Sequence, residues 1–472
     1  MQGHQKLLRD YQLNAISNVQ QAYKEGIKKV LLHSATGSGK TAIFCDVVKQ
    51  VHKKGTRALV VVAGRMLVDQ ASKRLERESV PHGVIMAGHW RRRPQENIQV
   101  CSIDTLNRRD IAAFNPGFIV IDEAHQATSD RYHKFVKQFP NAYYMCVTAT
   151  PYCKKPLEHV AQKIVRVVTM KELIAQGYLV APRYYAPSIP DLVGVSTKND
   201  DFDPHELDNL LNQSNPIGDV VKSWQTLSEQ RPTLLFAVSV SHSQRIVNTF
   251  RAHNIAAEHV DADTPEHVRA EMVEKLVAGE IKILSNVGIF CTGVDIPAVS
   301  CIVMVRPTKS YTLFIQQAGR GTRPAENKND FILIDHAGNL LRHGCIMDER
   351  EGWLNAMPKK KQKLFEKPPN LTQCLSCFAV YAGNAEKCPA CGAENQKKKD
   401  KLAPIEADMT EADKEHLRII GRRNELKNKC KRMGYKKGWI FHNMVAEFGQ
   451  DVAEKYCPKR TVPHWLSKRN PS

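Results

Sequence analysis

The sequence predicts an α/β protein of two tandem parallel-sheet lobes, followed by a four-cysteine zinc element and a small basic helical C-terminal region. Three observations predict it. Short continuous apolar runs alternate with helix-period segments, the pattern of strands buried on both faces of a parallel sheet. One strand-to-helix junction, Ser34 to Thr41, is a glycine-rich loop suited to phosphate. Beyond residue 356 the alternation stops, and paired cysteines, basic residues and aromatics take over.

The chain has 472 residues, too many for one core, and several domains are expected. Its 42% hydrophobic and 25% charged residues are those of an ordinary globular protein. No apolar run approaches the roughly 18 residues that span a bilayer, and the N-terminus has no signal-peptide pattern. A membrane partner is not expected. The expected location is the cytoplasm, nucleoid-associated, or the host cytoplasm if the source is a virus. Net charge is +19, and residues 357–472 alone carry 25 Lys+Arg against 13 Asp+Glu, a surplus of +12. Such asymmetry points to a polyanion recruited through its phosphates, most simply nucleic acid. Of thirteen cysteines, four form the pattern described below and nine are scattered. Several of the nine, such as Cys101, Cys146 and Cys301, fall in apolar runs, where reduced Cys acts as a small hydrophobe. A reducing compartment fits.

In chain order, Leu8-Arg9-Asp10-Tyr11-Gln12 opens a helix whose apolar face is Leu13, Ile16 and Val19. Arg9 and Gln12 sit where an adenine-reading group is expected, since an amide donates and accepts at once. The run Val30-Leu31-Leu32 then leads into the loop Ser34-Ala35-Thr36-Gly37-Ser38-Gly39-Lys40-Thr41. Gly37 and Gly39 allow a tight turn that aims successive N–H groups and a helix N-terminus at phosphate oxygens. Lys40 would reach the β- and γ-phosphates and the Thr41 hydroxyl would bind Mg²⁺. Ser34 stands where the pattern asks for Gly. The implied ligand is a nucleoside triphosphate, ATP.

Ala58–Val62 is a doubly buried strand that ends at Gly64-Arg65, and Val100–Leu106 is a second strand-to-turn unit containing Thr105. Both place polar groups at the edge where open α/β sheets bind ligands. Phe118–Ile121 runs into Asp122-Glu123-Ala124-His125. A carboxylate ending a buried strand beside a phosphate loop holds Mg²⁺ against the phosphates, so Asp122 is the metal residue. Glu123 would orient or deprotonate the attacking water. Residues 169–216 are less periodic, with Pro182, Pro187, Pro190 and an acidic stretch at 199–204, and read as a connector with a surface loop. Strand–helix alternation resumes at Leu234–Ala237 and runs through strands at 259–260, 281–284 and 302–305, giving a second parallel lobe without its own phosphate loop. Gln316-Gln317-Ala318-Gly319-Arg320-Gly321-Thr322-Arg323 follows. Arg320 and Arg323 are three apart, so on a helical turn they would project to one side.

Cys374-x2-Cys377 and Cys388-x2-Cys391, ten residues apart, form two knuckles suited to one tetrahedral Zn²⁺. So small an element cannot bury enough core without such a staple. From Glu411 a basic helical pattern leads to Gly434–His442 and Glu447-Phe448-Gly449. Basic groups among aromatics suit backbone capture plus base stacking. A small helical core using Trp439 and Phe441 is the plainer alternative for those two rings. The expected divisions are lobe 1 at 1–168, connector at 169–216, lobe 2 at 217–356, zinc element at 370–395, linker at 396–410 and basic helical domain at 411–472.

SATGSGKT, DEAH and Thr148-Ala149-Thr150-Pro151 resemble motifs I, II and III of the superfamily 2 helicases, whose lobes are RecA-like. Thr292-Gly293-Val294-Asp295-Ile296-Pro297 resembles motif V, and the run at 316–323 resembles motif VI. The resemblance implies that His125, Thr148 and Thr150 couple the ATP site to the nucleic-acid site. It places Arg65 and Thr105 near the bound strand's backbone. Gly293 would permit close backbone approach, Asp295 would bridge the ribose and motif VI, and Gln316 lies in the ATP-binding motif VI. Arg320 and Arg323 would be arginine fingers. With the zinc element and the tail GYKKGWIFH, the whole arrangement resembles the RadD-like helicases of bacteria and their phages. That family implies an ATP-dependent DNA helicase or translocase acting in DNA repair, recombination or replication on single-stranded, duplex or forked DNA. The alternatives are an RNA helicase with RNA as partner, a DNA-binding adaptor with an ATP-switched motor, and the motor subunit of a restriction-like system. The sequence names no protein partner.

Overall fold

The computed structural model describes residues 8–151, 156–213, 216–290, 296–350, 352, 354–355, 370–395, 418–419, 422–423, 425–426, 430 and 438–456. Lobe 1 runs α1 (Asp10–Lys24), β1 (Lys29–His33), α2 (Lys40–Lys53), β2 (Ala58–Val62), α3 (Arg65–Arg77), β3 (Gly83–Ile85), β4 (Ile98–Ser102), α4 (Ile103–Leu106), β5 (Phe118–Ile121), α5 (Asp130–Gln138), β6 (Tyr143–Thr148) and β7 (Lys163–Arg166). Its seven strands form one parallel sheet in the order β3-β4-β2-β5-β6-β1-β7. Alternate residues of each strand serve opposite faces. Val30, Leu32, Val60 and Val62 pack with Ala15, Ile16 and Val19 of α1 and Ile43, Phe44 and Val48 of α2. Leu31, Leu59, Val61 and Ile119 pack with Tyr132 and Phe135 of α5 on the other face. β2, β4 and β5 are buried along their whole length, β2 and β5 as unbroken apolar runs and β4 with Gln99 and Ser102 buried among its apolar residues.

The segment 169–213 contains α6 (Met170–Ala175), β8 (Ala181–Tyr185), a small antiparallel pair β9 (Thr197–Lys198) and β10 (Asp201–Phe202), and α7 (Pro204–Gln213). Lobe 2 continues with α8 (Pro216–Leu227), β11 (Thr233–Phe236), α9 (Val240–Ala252), β12 (Ala257–Val260), α10 (Glu266–Ala278), β13 (Ile283–Asn286), β14 (Cys301–Met304), α11 (Tyr311–Ala318), β15 (Asp330–Asp335) and α12 (Asn339–His343). The second sheet is also wholly parallel, in the order β12-β13-β11-β14-β15-β8.

Two elements here differ from the sequence reading. β8 comes from the segment read as connector, yet it pairs with β15 and is an edge strand of lobe 2. Pro182 obscured it; proline is tolerated in such a strand because an edge leaves one side of the backbone unpaired. β15 was not anticipated as a strand, although Phe331-Ile332-Leu333-Ile334 is a short apolar run that is fully buried.

β16 (Leu371–Gln373) and β17 (Val380–Ala382) form an antiparallel pair that carries the cysteine element. It is not a detached tail. Ala186 N–H donates to Phe378 O at 2.9 Å, Tyr185 bridges Ala379, and Val380 joins the lobe 2 core. α13 (Gly438–Phe448) and α14 (Gln450–Tyr456) close the described chain. Trp439 and Phe441 pack there around Met444, Ala453, Ile419 and Leu426, which is the core role weighed for them. The expected linker at 396–410 lies outside the described residues, as does most of the tail.

His336, just after β15, is buried between Ser188 Oγ and Ser223 Oγ, each 2.7 Å from one ring nitrogen. Burial holds its imidazole down at about 3. The unfolded chain protonates this ring near pH 6.5 while the folded chain does not. Stability is therefore full above pH 6.5 and falls as the medium is acidified toward 3, by up to about 1.4 kcal/mol per pH unit for one such ring. The expected result is a thermal midpoint that drops between pH 7.5 and 5.5. A His336→Gln variant, less stable at pH 7.5, is expected to show a shallower drop in the same calorimetric series.

Candidate active site

The phosphate loop lies between β1 and α2. Gly37 and Gly39 have φ of +81° and +80°, a conformation that a Cβ would strain. Space is short as well. A Cβ on Gly39 would lie 2.5 Å from Gln12 Nε2, and one on Gly37 would lie 2.8 Å from Leu179 Cδ2. Ser34, at the unusual first position, is fully buried and its Oγ bonds Ser38 Oγ at 2.7 Å, tying the two ends of the turn. Ser34 N–H donates to Thr148 O at 3.1 Å and Ala35 N–H to Val168 O at 3.2 Å, so the loop is pinned to lobe 1 on both sides.

The start of α1 braces the same loop. Gln12 Nε2 and Tyr11 Oη both donate to Ser38 O, at 3.0 and 2.8 Å, while Gln12 Oε1 accepts from Arg9 N–H at 2.9 Å. The Arg9 guanidinium lies 3.8 Å from the centre of the Tyr178 ring. Gln12 thus has a loop-positioning role that the sequence reading, which assigned it to adenine alone, did not contain.

Lys40 opens α2, and its Nζ lies 3.4 Å from Ser34 O and 3.3 Å from Ala35 O. Burial pulls its ammonium below the usual lysine value; Glu123 and Asp122 draw it back up, and Arg320 and Arg323 push it down. Asp122 directly follows β5, and its Oδ1 accepts from Glu123 N–H at 2.9 Å. Burial, then the charge of Glu123, raises the Asp122 carboxyl above the usual carboxylate range. Two crowded carboxylates in a buried site are what a divalent cation would relieve. Asp122 together with the Thr41 hydroxyl on the first turn of α2 is a donor set that fits Mg²⁺.

Glu123 is held at φ 49°, ψ 47°, a left-handed conformation costing a non-glycine residue about 1–2 kcal/mol. From it a polar chain runs to the other lobe. Glu123 Oε2 is 3.3 Å from His125 Nδ1, and that nitrogen is 3.2 Å from Thr148 Oγ1. Thr148 Oγ1 accepts from Thr150 N–H at 3.1 Å, and Thr312 Oγ1 on α11 donates to Thr150 Oγ1 at 3.0 Å. Burial holds His125 down at about 4, so near neutral pH it is an uncharged link. Thr312 is the member that sequence reasoning missed; its signal was its place four residues before Gln316 on α11.

Motif VI closes the site, with one correction. α11 ends at Ala318, so Arg320 and Arg323 lie in the turn after the helix and not on a helical turn. Gly319 caps the helix and sits against the phosphate loop, where a Cβ would come 2.7 Å from Thr36 Cγ2. Both arginines act electrostatically on Lys40, so the turn brings them to the phosphate side. Gln316 lies on α11 itself. A cavity of about 410 Å³ opens beside this contact, lined by Thr36 and Thr150 from lobe 1 and Tyr311 and Arg350 from lobe 2.

Of the expected strand contacts, Thr105 lies at the C-terminal edge of β4, with its N–H donated to Ser102 Oγ at 3.2 Å and its hydroxyl 3.0 Å from the same atom. Arg65 opens α3; its side chain lies outside the described residues, as do Gly293 and Asp295. At the cysteine element, Cys374 Sγ is 3.6 Å from Cys391 Sγ and Cys377 Sγ is 3.7 Å from Cys388 Sγ. All four sulfurs lie within 4.8 Å of one another. A ZnS₄ tetrahedron with bonds of about 2.3 Å has edges of about 3.8 Å, so the donor set fits zinc.

Residues 5–153 match the family described as the res subunit of type III restriction enzymes, and residues 217–325 match the helicase conserved C-terminal domain. The two matches take in the phosphate loop, the DEAH run and motif VI. The chain belongs to the ATP-dependent helicases of superfamily 2. A 51.5 kDa protein of a Lactococcus phage is 28% identical over 398 residues, covering 82% of this chain and 83% of its own. A candidate ATP-dependent helicase of Saccharomyces cerevisiae, IRC3, is 30% identical over 359 residues, and the alignment covers 70% of this chain but only 52% of the yeast protein. In fold the chain is similar to a fragment of a candidate HsdR subunit of a type I restriction enzyme from Vibrio vulnificus (TM-score 0.56, 20% identity, 74% of this chain and 67% of that one). It is also similar in fold to the type ISP restriction-modification enzyme LlaBIII bound to DNA (TM-score 0.54, 18% identity, 70% of this chain and 28% of that one). Membership of this superfamily accounts for the two parallel lobes. Among the described residues no helix is long and apolar enough to cross a membrane.

Proposed function

We propose that the chain is a nucleic-acid-stimulated ATPase that moves along DNA as a helicase or translocase. The observation that carries this reading is the closed site: the Gly319 turn against Thr36, with Arg320 and Arg323 acting on Lys40 from the opposite lobe. In this reading Lys40 and the loop 34–39 hold the phosphates, Thr41 and Asp122 hold Mg²⁺, and Arg9 and Gln12 face the base. When bound, the metal would screen the phosphate oxygens. Glu123 takes a proton from the attacking water, and the two guanidinium groups neutralise the charge that develops on the outermost phosphate. Loss of that charge weakens the bridge between lobes, and the chain Glu123–His125–Thr148–Thr150–Thr312 carries the change to the face that holds the strand.

A Glu123→Gln variant is expected to lose about 10²–10⁴ of its turnover while still binding ATP. A phosphate-release assay beside nucleotide binding checks this, and near-normal turnover would remove Glu123 from its role. The test of the whole reading is ATP turnover against matched single-stranded, duplex and forked DNA and RNA. Stimulation by DNA supports it; stimulation by RNA alone would favour the RNA helicase.

The likeness of residues 5–153 to a restriction-enzyme subunit favours one second reading, the motor of a restriction-like system whose nuclease is a separate chain. DNA cleavage that appears only on adding such a chain would support it. The RadD-like assignment, with its role in repair, recombination or replication, is part of the proposal. So are the cytoplasmic location and the domain limits set out above, with residues 181–185 moved from the connector to lobe 2. They rest on the zinc element, the basic surplus and the motif order.

A further inference from the structure

Parallel topology puts the C-terminal ends of all lobe 1 strands on one edge, so the turns after β1, β6, β5, β2, β4 and β3 follow one another across it. The phosphate loop follows β1, Thr105 follows β4, and the last turn, after β3, carries His89-Trp90-Arg91-Arg92-Arg93. It lies five strand spacings from the phosphate loop, or roughly 24 Å. The nucleotide site does not use it.

Trp90 is 73% exposed, the most exposed of the large apolar side chains described. It is nevertheless held. The His89 ring stacks on it with centroids 5.7 Å apart and planes 21° apart, and the Arg91 guanidinium lies 4.3 Å from its centre. Both supports are anchored on α3: His89 Nε2 is 2.9 Å from Asp69 Oδ1, and Arg91 pairs with Glu76. Arg91 N–H donates to His89 Nδ1 at 3.0 Å, and Arg91 O accepts from Val84 N–H at 2.9 Å. Arg92 and Arg93 remain exposed beside it. A large ring kept in water yet fixed in orientation loses little freedom on binding a flat partner. With two free-standing cations next to it, the partner that fits is a base followed by its phosphates.

We propose that Trp90 is a stacking platform for an unpaired base at the outer end of lobe 1, with Arg92 and Arg93 on the adjoining phosphates. This rests on the nucleic-acid reading above and adds to it a preference for unpaired strands. A second protein chain seated on the ring is the competing use of such a surface.

The test uses the full chain and three probes: a thymidine oligomer, an abasic oligomer of the same length, and a duplex. Wild type is expected to bind the thymidine oligomer more tightly than the abasic one. Trp90→Ala is expected to lose about 5- to 150-fold on the thymidine oligomer, the range for removing one aromatic–base stack, and nothing on the abasic oligomer. Trp90→Phe is expected to recover most of the loss. Equal binding of the thymidine oligomer by wild type and Trp90→Ala would overturn the platform, as would an equal loss on both oligomers. A change of oligomeric state on gel filtration of Trp90→Ala would assign the ring to a protein contact and overturn it too. Wild type that binds none of the probes would overturn the nucleic-acid reading itself, a separate outcome.

Discussion

Arg320→Ala is expected to cut ATP turnover by about 10³-fold or more while leaving nucleotide affinity within a few-fold of wild type. The loss is large because a guanidinium facing the outermost phosphate matters most where charge builds up during transfer, and little where the nucleotide merely rests. The geometry makes Arg320 more than a surface cation. It follows Gly319, which has no room for a Cβ against Thr36, and with Arg323 it acts on the half-buried ammonium of Lys40. Lysine at 320 would restore charge but not the planar fork, so Arg320→Lys is expected to recover only a small part of the rate. Steady-state turnover beside equilibrium nucleotide binding decides it. Loss of binding equal to the loss of rate would make Arg320 a ground-state contact and remove the arginine-finger role.

The second large effect concerns the zinc element. Purified chain is expected to carry one zinc per molecule, and chelation or Cys377→Ser is expected to unfold residues 370–395. Structural zinc in small elements supplies on the order of 10 kcal/mol, far more than two short strands bury by themselves. The damage is expected to spread. Through Ala186, Tyr185 and Val380 the element is joined to β8 and the lobe 2 core. Hydrogen exchange should therefore rise along 181–186 as well as 370–395, with lobe 1 unchanged. Full protection of 370–395 in the metal-free chain would show that its packing suffices without zinc.

The chemistry-bearing stretches were legible because each is local. Gly37 and Gly39 permit the turn, Lys40 and Thr41 follow it, and Asp122 and Glu123 end an apolar strand; all of this is adjacency in sequence. The same holds for the paired cysteines, where spacing alone limits how the sulfurs can meet. Less local features escaped. β8 was hidden by Pro182, and the basic C-terminal aromatics read as a binding surface or, more plainly for Trp439 and Phe441, as a core, and those two rings pack on Met444. The helical placement of Arg320 and Arg323 failed because spacing of three fits a helix, while the helix ends at Ala318 with Gly319 as its cap.

By itself the sequence marked the stretches suited to a triphosphate with its metal, to a polyanion and to zinc, since each is a short run of residues whose spacing the backbone enforces. Only the tertiary structure decided which of those runs meet. Thr150 and Thr312 are 162 residues apart, Gly319 finds Thr36 in the other lobe, and Gln12 reaches back over the loop it was expected only to accompany. Such contacts depend on how two sheets and their helices pack, and packing is set by shape and volume summed over many residues, which no short pattern records.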